Sequence, residues 1–504
     1  MRILKRIAPY AIIVAVALLL LYLPDIGPES YADLATFFRV EMTRQGFPGY
    51  IVTAIKGGAV LYVDGFGVDG AGQALSPETR MLVGAAAKPF AATAAMALSA
   101  KGSLDLDEPV ANFLPGFAFA DGSGSGLRVR DLIAHASGIS DASFDDSHYT
   151  APSLAAAVKI LATAKPVAAP GTEFHFIETG YQALGLVMEA ASGKAYADLL
   201  DGVLFRPTGM AASDASHADS GPWLSAGSAS FFGLVLPRAT LVPEFGSPSG
   251  YVVTSASDLG SFLAYLVSPE ASKKKLMPLQ RARELLEPAV PGIPYAFGWS
   301  IKEEGDATVL ESEGSQAGFS SMIEIWPREK TAIAIVAPEN SLLHATISLP
   351  ALSSAARKIM MEGSAARPFP VGRLYILLAV AAAVNCALLV YQTGGARRWA
   401  KYARDKAEAR GTRGPLVFAT VRICVGFAVR LAVAHIFPVA LGLILGKAAT
   451  WKTAFDAEPA IAAWCASACF FGGLRNIARL SWLVGRLPFP QSIASWSSRL
   501  RRAP

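Results

Sequence analysis

The sequence is poor in charged residues and in cysteine. Lys, Arg, Asp and Glu make up 17% of its 504 residues, whereas 52% are hydrophobic; a soluble chain carries about 25% charged residues. All four cysteines lie in the last third of the chain, and none lies between residues 24 and 365. The middle segment therefore has no internal disulfide and depends on its own apolar core, and the low charge predicts membrane-spanning segments.

A strong net charge is also absent, since the chain carries +5 at pH 7. The basic residues cluster towards the chain's ends, which indicates membrane topology rather than nucleic-acid binding. Cys465 and Cys469 share a helix face, but no histidine or carboxylate repeats that spacing, so no metal site is predicted. Asp145 and Asp146, beside His148, are interpreted as a solvated acidic loop. The sequence has no phosphate-binding loop, and no cofactor is predicted.

Four apolar runs predict four membrane spans. The first, residues 7–23, follows three basic residues and predicts an uncleaved N-terminal anchor over 1–24. The others are predicted in a C-terminal domain, 366–504, near 371–391, 427–446 and 460–476. A basic loop follows the second span and a basic tail follows the fourth. The positive-inside rule then predicts a cytoplasmic-membrane protein with both termini cytoplasmic and a large domain, 25–365, on the outer side, periplasmic where there are two membranes.

Two ionisable residues, Arg430 and His435, fall in or near the third predicted span. Such residues within a membrane mark functional sites by default. A long arginine side chain also reaches the membrane surface by snorkelling. We interpret Arg430 as a snorkelling residue.

The large domain mixes strand and helix patterns. Residues 51–63 predict two strands joined at Lys56-Gly57-Gly58, and residues 322–337 predict two more joined at 327–330. Residues 89–100 are rich in alanine and predict a buried helix. Strands at both ends of the domain with helices between them predict an α+β fold with an antiparallel sheet.

Several motifs of this domain follow one another in a family-specific order. Together they resemble the serine β-lactamases, DD-peptidases and related esterases. The segments that carry the resemblance are VGAAAKPF at 83–90, GSLDLDEPV at 102–110, LIAHASG at 132–138, FRPTGM at 205–210, GYVVTSASDL at 250–259 and FGW at 297–299. The resemblance implies a β-lactamase-like sheet flanked by helices, with a helical subdomain. With the C-terminal spans added, the layout resembles membrane-anchored prodrug-activating peptidases.

The three active-site motifs of that family are altered here. Ser-x-x-Lys reads Ala85 to Lys88, so the resemblance places alanine at the nucleophile position and keeps only the lysine. Tyr-x-Asn becomes Phe176 to Glu178, which lacks the phenol. Lys-Thr-Gly or His-x-Gly aligns with Ser312-Glu313-Gly314, which has lost its cation and kept its glycine. Losing a nucleophile alone can cost about a millionfold in rate, and three separate departures favour a natural pseudoenzyme over an engineered inactivation.

The candidate binding cleft therefore consists of a few motif residues. They are Ala85, Lys88, Phe176, Glu178, Ser312, Glu313 and Gly314. We expect Glu178 to form an ion pair with Lys88 that keeps the lysine protonated. His135 is interpreted as a packing residue. His175 as a substitute base and Ser312 as a relocated nucleophile remain minor alternatives.

Two functional hypotheses follow. In the first, the protein is a catalytically inactive envelope protein whose cleft binds a peptide, a peptidoglycan fragment or a partner protein, with the lipid bilayer as its anchor. In the second, it is a peptidase or esterase that uses non-standard residues. A third reading makes the membrane bundle the active element, with Asn385, Arg430 and His435 as its few polar residues.

Overall fold

The computed structural model describes residues 28–140, 153–216, 224–239, 247–273, 275–316, 318–445 and 450–484. The predicted anchor over 1–24 lies outside the described residues, as do Asp145, Asp146 and His148. The chain divides into two compact units. One comprises Ile26–Ser230 and Leu234–Gly372, and the other includes Phe231–Gly233 and Arg373–Pro504.

A six-stranded antiparallel sheet organises the first unit, with strand order β3-β2-β11-β10-β9-β8. The described strands are β1 (Ser30–Tyr31), β2 (Gly49–Lys56), β3 (Ala59–Gly67), β4 (Met81–Leu82), β5 (Gly227–Phe231), β6 (Leu234–Arg238), β7 (Val253–Thr254), β8 (Ser300–Glu304), β9 (Ala307–Gln316), β10 (Phe319–Trp326), β11 (Thr331–Ala337) and β12 (Ala365–Ala366). The sheet joins N-terminal strands to C-terminal strands, and both predicted hairpins, β2–β3 and β10–β11, are confirmed.

Helices connect and cover these strands. In this unit they are α1 (Leu34–Gln45), α2 (Lys88–Ala100), α3 (Val110–Phe113), α4 (Val129–Ile133), α5 (Leu154–Leu161), α6 (Glu178–Ser192), α7 (Tyr196–Leu200), α8 (Arg206–Thr208), α9 (Ala256–Val267), α10 (Leu279–Glu284) and α11 (Leu349–Glu362). The predicted alanine-rich helix is α2, and most of its residues are buried. The predicted α+β class with a sheet flanked by helices is confirmed.

Two apolar cores lie on opposite faces of the sheet. The larger contains α2 and α9, and the smaller contains α1 and α11. Every residue of β10 is buried as a result, because a strand covered on both faces has no solvent side. The sheet is thus a rigid support for the residues that β9 presents towards α2.

The second unit contains five described helices: α12 (Val371–Gly394, whose first two residues belong to the first unit), α13 (Ala396–Ala409), α14 (Gly414–Leu445), α15 (Trp451–Ala457) and α16 (Pro459–Val484). Three of them, α12, α14 and α16, are long and apolar enough to cross a membrane. Helix α14 begins well before the predicted residue 427. Arg422 and Arg430 interrupt the apolar run, but arginine is a good helix former and does not end a helix.

Arginine and tryptophan side chains hold α13 against α16. The guanidinium of Arg479 lies 4.9 Å from the ring centre of Trp399, and that of Arg397 lies 5.1 Å from Trp482. Such cation–π contacts suit the boundary between water and lipid, where both groups are favourable. Helix α13 carries the basic loop of the sequence and is strongly amphipathic, with Ala396, Ala400 and Ala403 buried.

Candidate functional site

A tight turn places the altered Ser-x-x-Lys motif. Residues Gly84–Ala87 form a 3-10 turn that leads into α2, where Pro89 occupies the first turn without loss of a helical hydrogen bond. Gly84 has a positive φ of 57°, which glycine adopts at low cost. Ala85 is half-buried and Lys88 is buried. The turn therefore places Ala85 beside Lys88 at the lining of one cavity.

Lys88 is bound by a carbonyl and by aromatic rings. Its Nζ donates to the carbonyl oxygen of Ser249 at 3.0 Å and lies 4.7 Å from the ring centre of Phe176 and 5.7 Å from that of Tyr181. The side chain is only 1% exposed. These contacts stabilise an ammonium ion at a buried position.

The ion pair expected between Lys88 and Glu178 is not found among the described residues, and that prediction is wrong. Glu178 is instead the first residue of α6, where the positive end of the helix dipole stabilises a carboxylate. It faces Tyr251, whose pKa is raised to about 12 by burial and further by the Glu178 charge. Lys88 therefore receives its stabilisation from the Ser249 carbonyl and the aromatic rings rather than from Glu178.

His135 orders the aromatic wall. Its Nδ1 accepts a hydrogen bond from the backbone N–H of Ile177 at 3.1 Å, and its ring lies 4.6 Å from Phe176 and 4.8 Å from Tyr295. Burial and then the Lys88 charge hold the pKa of His135 well below its usual value. The ring is therefore neutral, and the predicted packing and hydrogen-bonding role is confirmed.

The third motif lies on β9, against the turn that carries Ala85. A Cβ atom on Gly314 would overlap the carbonyl oxygen of Val83, which also accepts a hydrogen bond from Ser321 Oγ at 2.7 Å. Gly314 is the glycine that the altered third motif keeps. In the structure, the close approach is between two segments of the protein itself.

A cavity of about 340 Å³ lies between these elements. It is lined by Ala85, Lys88, Phe176, Tyr295, Ser300, Lys302, Glu311, Ser312 and Glu313. Five of the seven predicted cleft residues thus meet at one cavity, whereas Glu178 and Gly314 are not in its lining. The additional residues come mostly from the start of β8 and from the neighbouring part of β9, which carry no motif of their own.

Carboxylates dominate the β9 wall of this cavity. Glu311 forms an ion pair with Lys302 on β8. Partial desolvation, followed by hydrogen bonding to the Glu311 carboxylate, raises the pKa of Glu313 to about 7, although its side chain is exposed to solvent. The wall where the family resemblance implies a cation is therefore neutral to acidic.

One edge of β9 is open beside the cavity. Strand β8 pairs with residues 307–311 only, whereas β10 pairs with β9 along residues 310–316. Within the described ranges, no strand pairs with residues 312–316 on the cavity side. Their backbone groups are therefore arranged as the edge of a sheet.

The remaining sequence candidates lie elsewhere. His175 is 3.3 Å from Glu173 and is not among the residues that line the cavity. The part of the chain that the structure describes contains no cluster of three or more His, Cys, Asp or Glu residues suited to a metal ion.

Known proteins share this fold. Protein flp of Staphylococcus aureus (strain COL) is 25% identical over 328 residues, which are 62% of this chain and 64% of that protein, so the match spans somewhat less than two thirds of its length. Two solved structures are similar: the octameric penicillin-binding protein homologue of Pyrococcus abyssi (TM-score 0.54, 23% identity, 64% of this chain and 75% of that one) and a class C beta lactamase of Rhodobacter sphaeroides (TM-score 0.52, 18% identity, 68% and 98%). The Beta-lactamase family model matches residues 34–346, and the chain belongs to the beta-lactamase family.

Proposed function

We propose that this protein is a catalytically inactive member of its family that binds a peptide, a peptidoglycan fragment or a partner protein in its cleft. The observation that carries the proposal is alanine at position 85, beside a buried lysine that is already bound by a main-chain carbonyl. A methyl group has no lone pair with which to attack a carbonyl carbon. The covalent route that begins with a serine at this position is closed.

The second wall supports the same proposal. Phe176 lies over Lys88 where the family has a tyrosine, and it has no hydroxyl to relay a proton. Lys88 donates to the carbonyl oxygen of Ser249 and lies among aromatic rings and the neutral His135 ring. Because residue 85 is alanine, it has no hydroxyl group with which Lys88 could exchange a proton. Two of the groups needed for acyl transfer are therefore absent from their places.

The cleft retains features of a binding site. Its cavity has aromatic, basic and acidic walls, and the open edge of β9 runs beside it. An extended peptide can add to such an edge through main-chain hydrogen bonds, with side-chain pockets that provide specificity. A ligand with a peptide backbone fits this arrangement.

We also propose the cytoplasmic membrane as the location, with the large domain on the outer side and both termini cytoplasmic. Three apolar helices long enough to span a membrane support the anchoring. The basic residues of α13 and of the C-terminal tail support the orientation, because basic loops remain on the cytoplasmic side. The ligand would then be met in the cell envelope.

A second candidate function is hydrolysis with Ser312 as the nucleophile. Ser312 lines the same cavity as Lys88, so one observation favours it. In this alternative, Lys88 would have to release Ser249 and lose one proton to solvent, and the neutral amine would then accept the serine proton.

The two candidates are separated by covalent labelling of the full-length protein in detergent. The protein is treated with a fluorescent penicillin and, separately, with a fluorophosphonate, and its intact mass is measured. We expect no adduct, together with saturable binding of a stem-peptide fragment of peptidoglycan to the unlabelled protein. An adduct that maps to Ser312 and is lost in Ser312→Ala would replace the proposal with the hydrolase; absence of any fragment binding would remove the peptidoglycan ligand.

A further inference from the structure

Arg430 occupies a prepared position inside the helical bundle. Its Nη1 donates to the carbonyl oxygen of Gly426, one turn earlier in α14. Its guanidinium lies against Gly472 of α16, where any Cβ atom would overlap it. The glycine on the neighbouring helix leaves the space that the guanidinium fills, so the side chain lies between helices. The snorkelling predicted from the sequence is not what the structure shows.

Asn476, one turn after Gly472, completes the polar cluster. Its side chain is 1% exposed. With its amide oxygen turned towards α14, it accepts from Arg430 Nη1 at 3.3 Å and from the backbone N–H of Phe427 at 3.3 Å. Arg430 Nε is buried and has no hydrogen-bond acceptor among the residues that the structure describes. Neutral groups thus hold the guanidinium in place but leave its charge unbalanced.

The three described spans offer no carboxylate to Arg430. The sequences of α12, α14 and α16 contain no Asp or Glu. Arg430 is 12 residues from Gly442 and 16 from Gly414, the ends of the apolar span, which correspond to about 18 and 24 Å along a helix. The apolar run over 7–23 also lacks acidic residues. A second copy of the chain therefore has no acidic residue in any apolar run to offer.

We propose that Arg430 and Asn476 form a docking site for a membrane-spanning helix of a different protein that carries one Asp or Glu near the middle of the membrane. The Arg430 side chain is half-buried, so part of it is accessible to a helix at the bundle surface. A carboxylate in hydrocarbon is costly unless it is paired, and a guanidinium offers two parallel donors to it. A lipid phosphate stays at the membrane surface, which makes an acidic helix the better match at this depth.

The experiment uses the full-length protein in nanodiscs of phosphatidylcholine, with an acceptor dye on an N-terminal tag. The probe is a donor-labelled leucine-rich membrane-spanning peptide with glutamate at its centre, and the control peptides have glutamine or leucine there. We expect energy transfer to show at least tenfold tighter association of the glutamate peptide. That preference should disappear in Arg430→Gln and persist in Arg430→Lys and in Arg422→Gln, a matched change on the same helix.

Two further variants keep the proposal falsifiable if Arg430→Gln does not fold. Asn476→Leu removes the neighbour that orients the guanidinium, and Gly472→Ala displaces it while its charge is kept; both should reduce the preference at least threefold in protein whose helical circular dichroism is unchanged. Equal association of the three peptides overturns the proposal. So does a preference that persists in folded Arg430→Gln, or one that is abolished when phosphatidylglycerol is added, which would assign Arg430 to a lipid headgroup.

Discussion

Lys88 in the β-lactamase domain and Arg430 in the helical bundle are both cations held away from water, and their surroundings differ in one respect. Lys88 shares a cavity with Glu311 and Glu313. Arg430 is surrounded by neutral groups and lies on a helix without carboxylates. Both positions are fixed by main-chain carbonyl oxygens and by close packing. The domain therefore contains opposite charge of its own near its buried cation, whereas the described helices of the bundle place no carboxylate beside Arg430.

This difference constrains the function that each of the two cations can have. In a water-soluble domain, a buried charge can be replaced by an apolar group of similar shape with little loss of stability. In a membrane, an arginine near the middle of a helix costs about 3 kcal/mol on insertion scales. A residue with that cost and no carboxylate partner in the described part of the chain is harder to explain as a packing residue than Lys88 is.

The largest expected difference between the two regions is the stability lost when glycine is replaced by alanine. The new methyl group meets a main-chain carbonyl in the domain and a side chain in the bundle. In Gly314→Ala the new Cβ meets the Val83 carbonyl, which the sheet holds in place. We expect a loss of about 3 kcal/mol or more in the free energy of unfolding, or failure to fold. In Gly472→Ala the new atom meets the movable end of Arg430, and the loss should be about 1 kcal/mol.

Chemical and thermal denaturation of the full-length protein measure both changes. Gly126→Ala is the control, because its Cβ would lie in open space. If Gly314→Ala were as stable as Gly126→Ala, the contact between β9 and the Ala85 turn would not be rigid. The cleft described above would then lose its fixed geometry.

Charge and packing at Lys88 are separated by two substitutions. Lys88→Ala removes the side-chain stem from a buried position and should cost about 2–3 kcal/mol. Lys88→Met keeps the stem and removes the charge, and we expect it to lie within about 1 kcal/mol of the parent because the saved desolvation offsets the lost bond to Ser249. Lys101→Met, at the exposed end of α2, is the matched control. An equal loss in both Lys88 variants would mean that the ammonium itself is needed.

The carboxylates of the domain make its stability depend on pH. Burial raises the pKa of Glu324 from its ordinary value of 4.5 to about 7, and Glu311 adds to the rise. The folded state therefore holds a proton that the unfolded state releases, so stability falls as the pH rises from about 4.5 to 7, by about 2–3 kcal/mol. Glu324→Gln should remove the Glu324 share of this slope, leave the share of Glu313, and be the more stable protein at pH 8. Glu303→Gln, on the exposed side of β8, should leave the slope unchanged.

Local sequence patterns predicted the hairpins of the sheet, but they did not predict contacts between segments that are distant in the sequence. Alternating apolar residues and turn signals defined both hairpins, because pairing between adjacent strands is set by the segments themselves. The order of the motifs predicted that Ala85, Phe176 and Ser312 would meet. The partner of Lys88 was not predictable, since it is a main-chain carbonyl and any residue at position 249 supplies one.

The position of Arg430 was not predicted from the sequence for a related reason. A hydropathy analysis considers each helix separately. It therefore interprets an arginine either as the end of a membrane span or as a side chain that snorkels to the membrane surface. Its place depends on two residues of another helix, Gly472 and Asn476, which only packing brings together. A glycine and an asparagine one turn apart, facing an intramembrane arginine, form a signal that a search between helices would have detected.

The smallest expected effect is that of restoring the nucleophile. Ala85→Ser alone should produce no hydrolysis of a chromogenic cephalosporin or of a D-alanyl peptide. The new hydroxyl would lie near Lys88, but that ammonium is bound to Ser249, and Phe176 has no phenol to pass the proton on. Ala85→Ser combined with Phe176→Tyr tests whether the tyrosine is the missing group. Turnover of the single variant tenfold above that of the parent protein would show that Lys88 leaves its carbonyl readily, and the structural role assigned to it would have to be withdrawn.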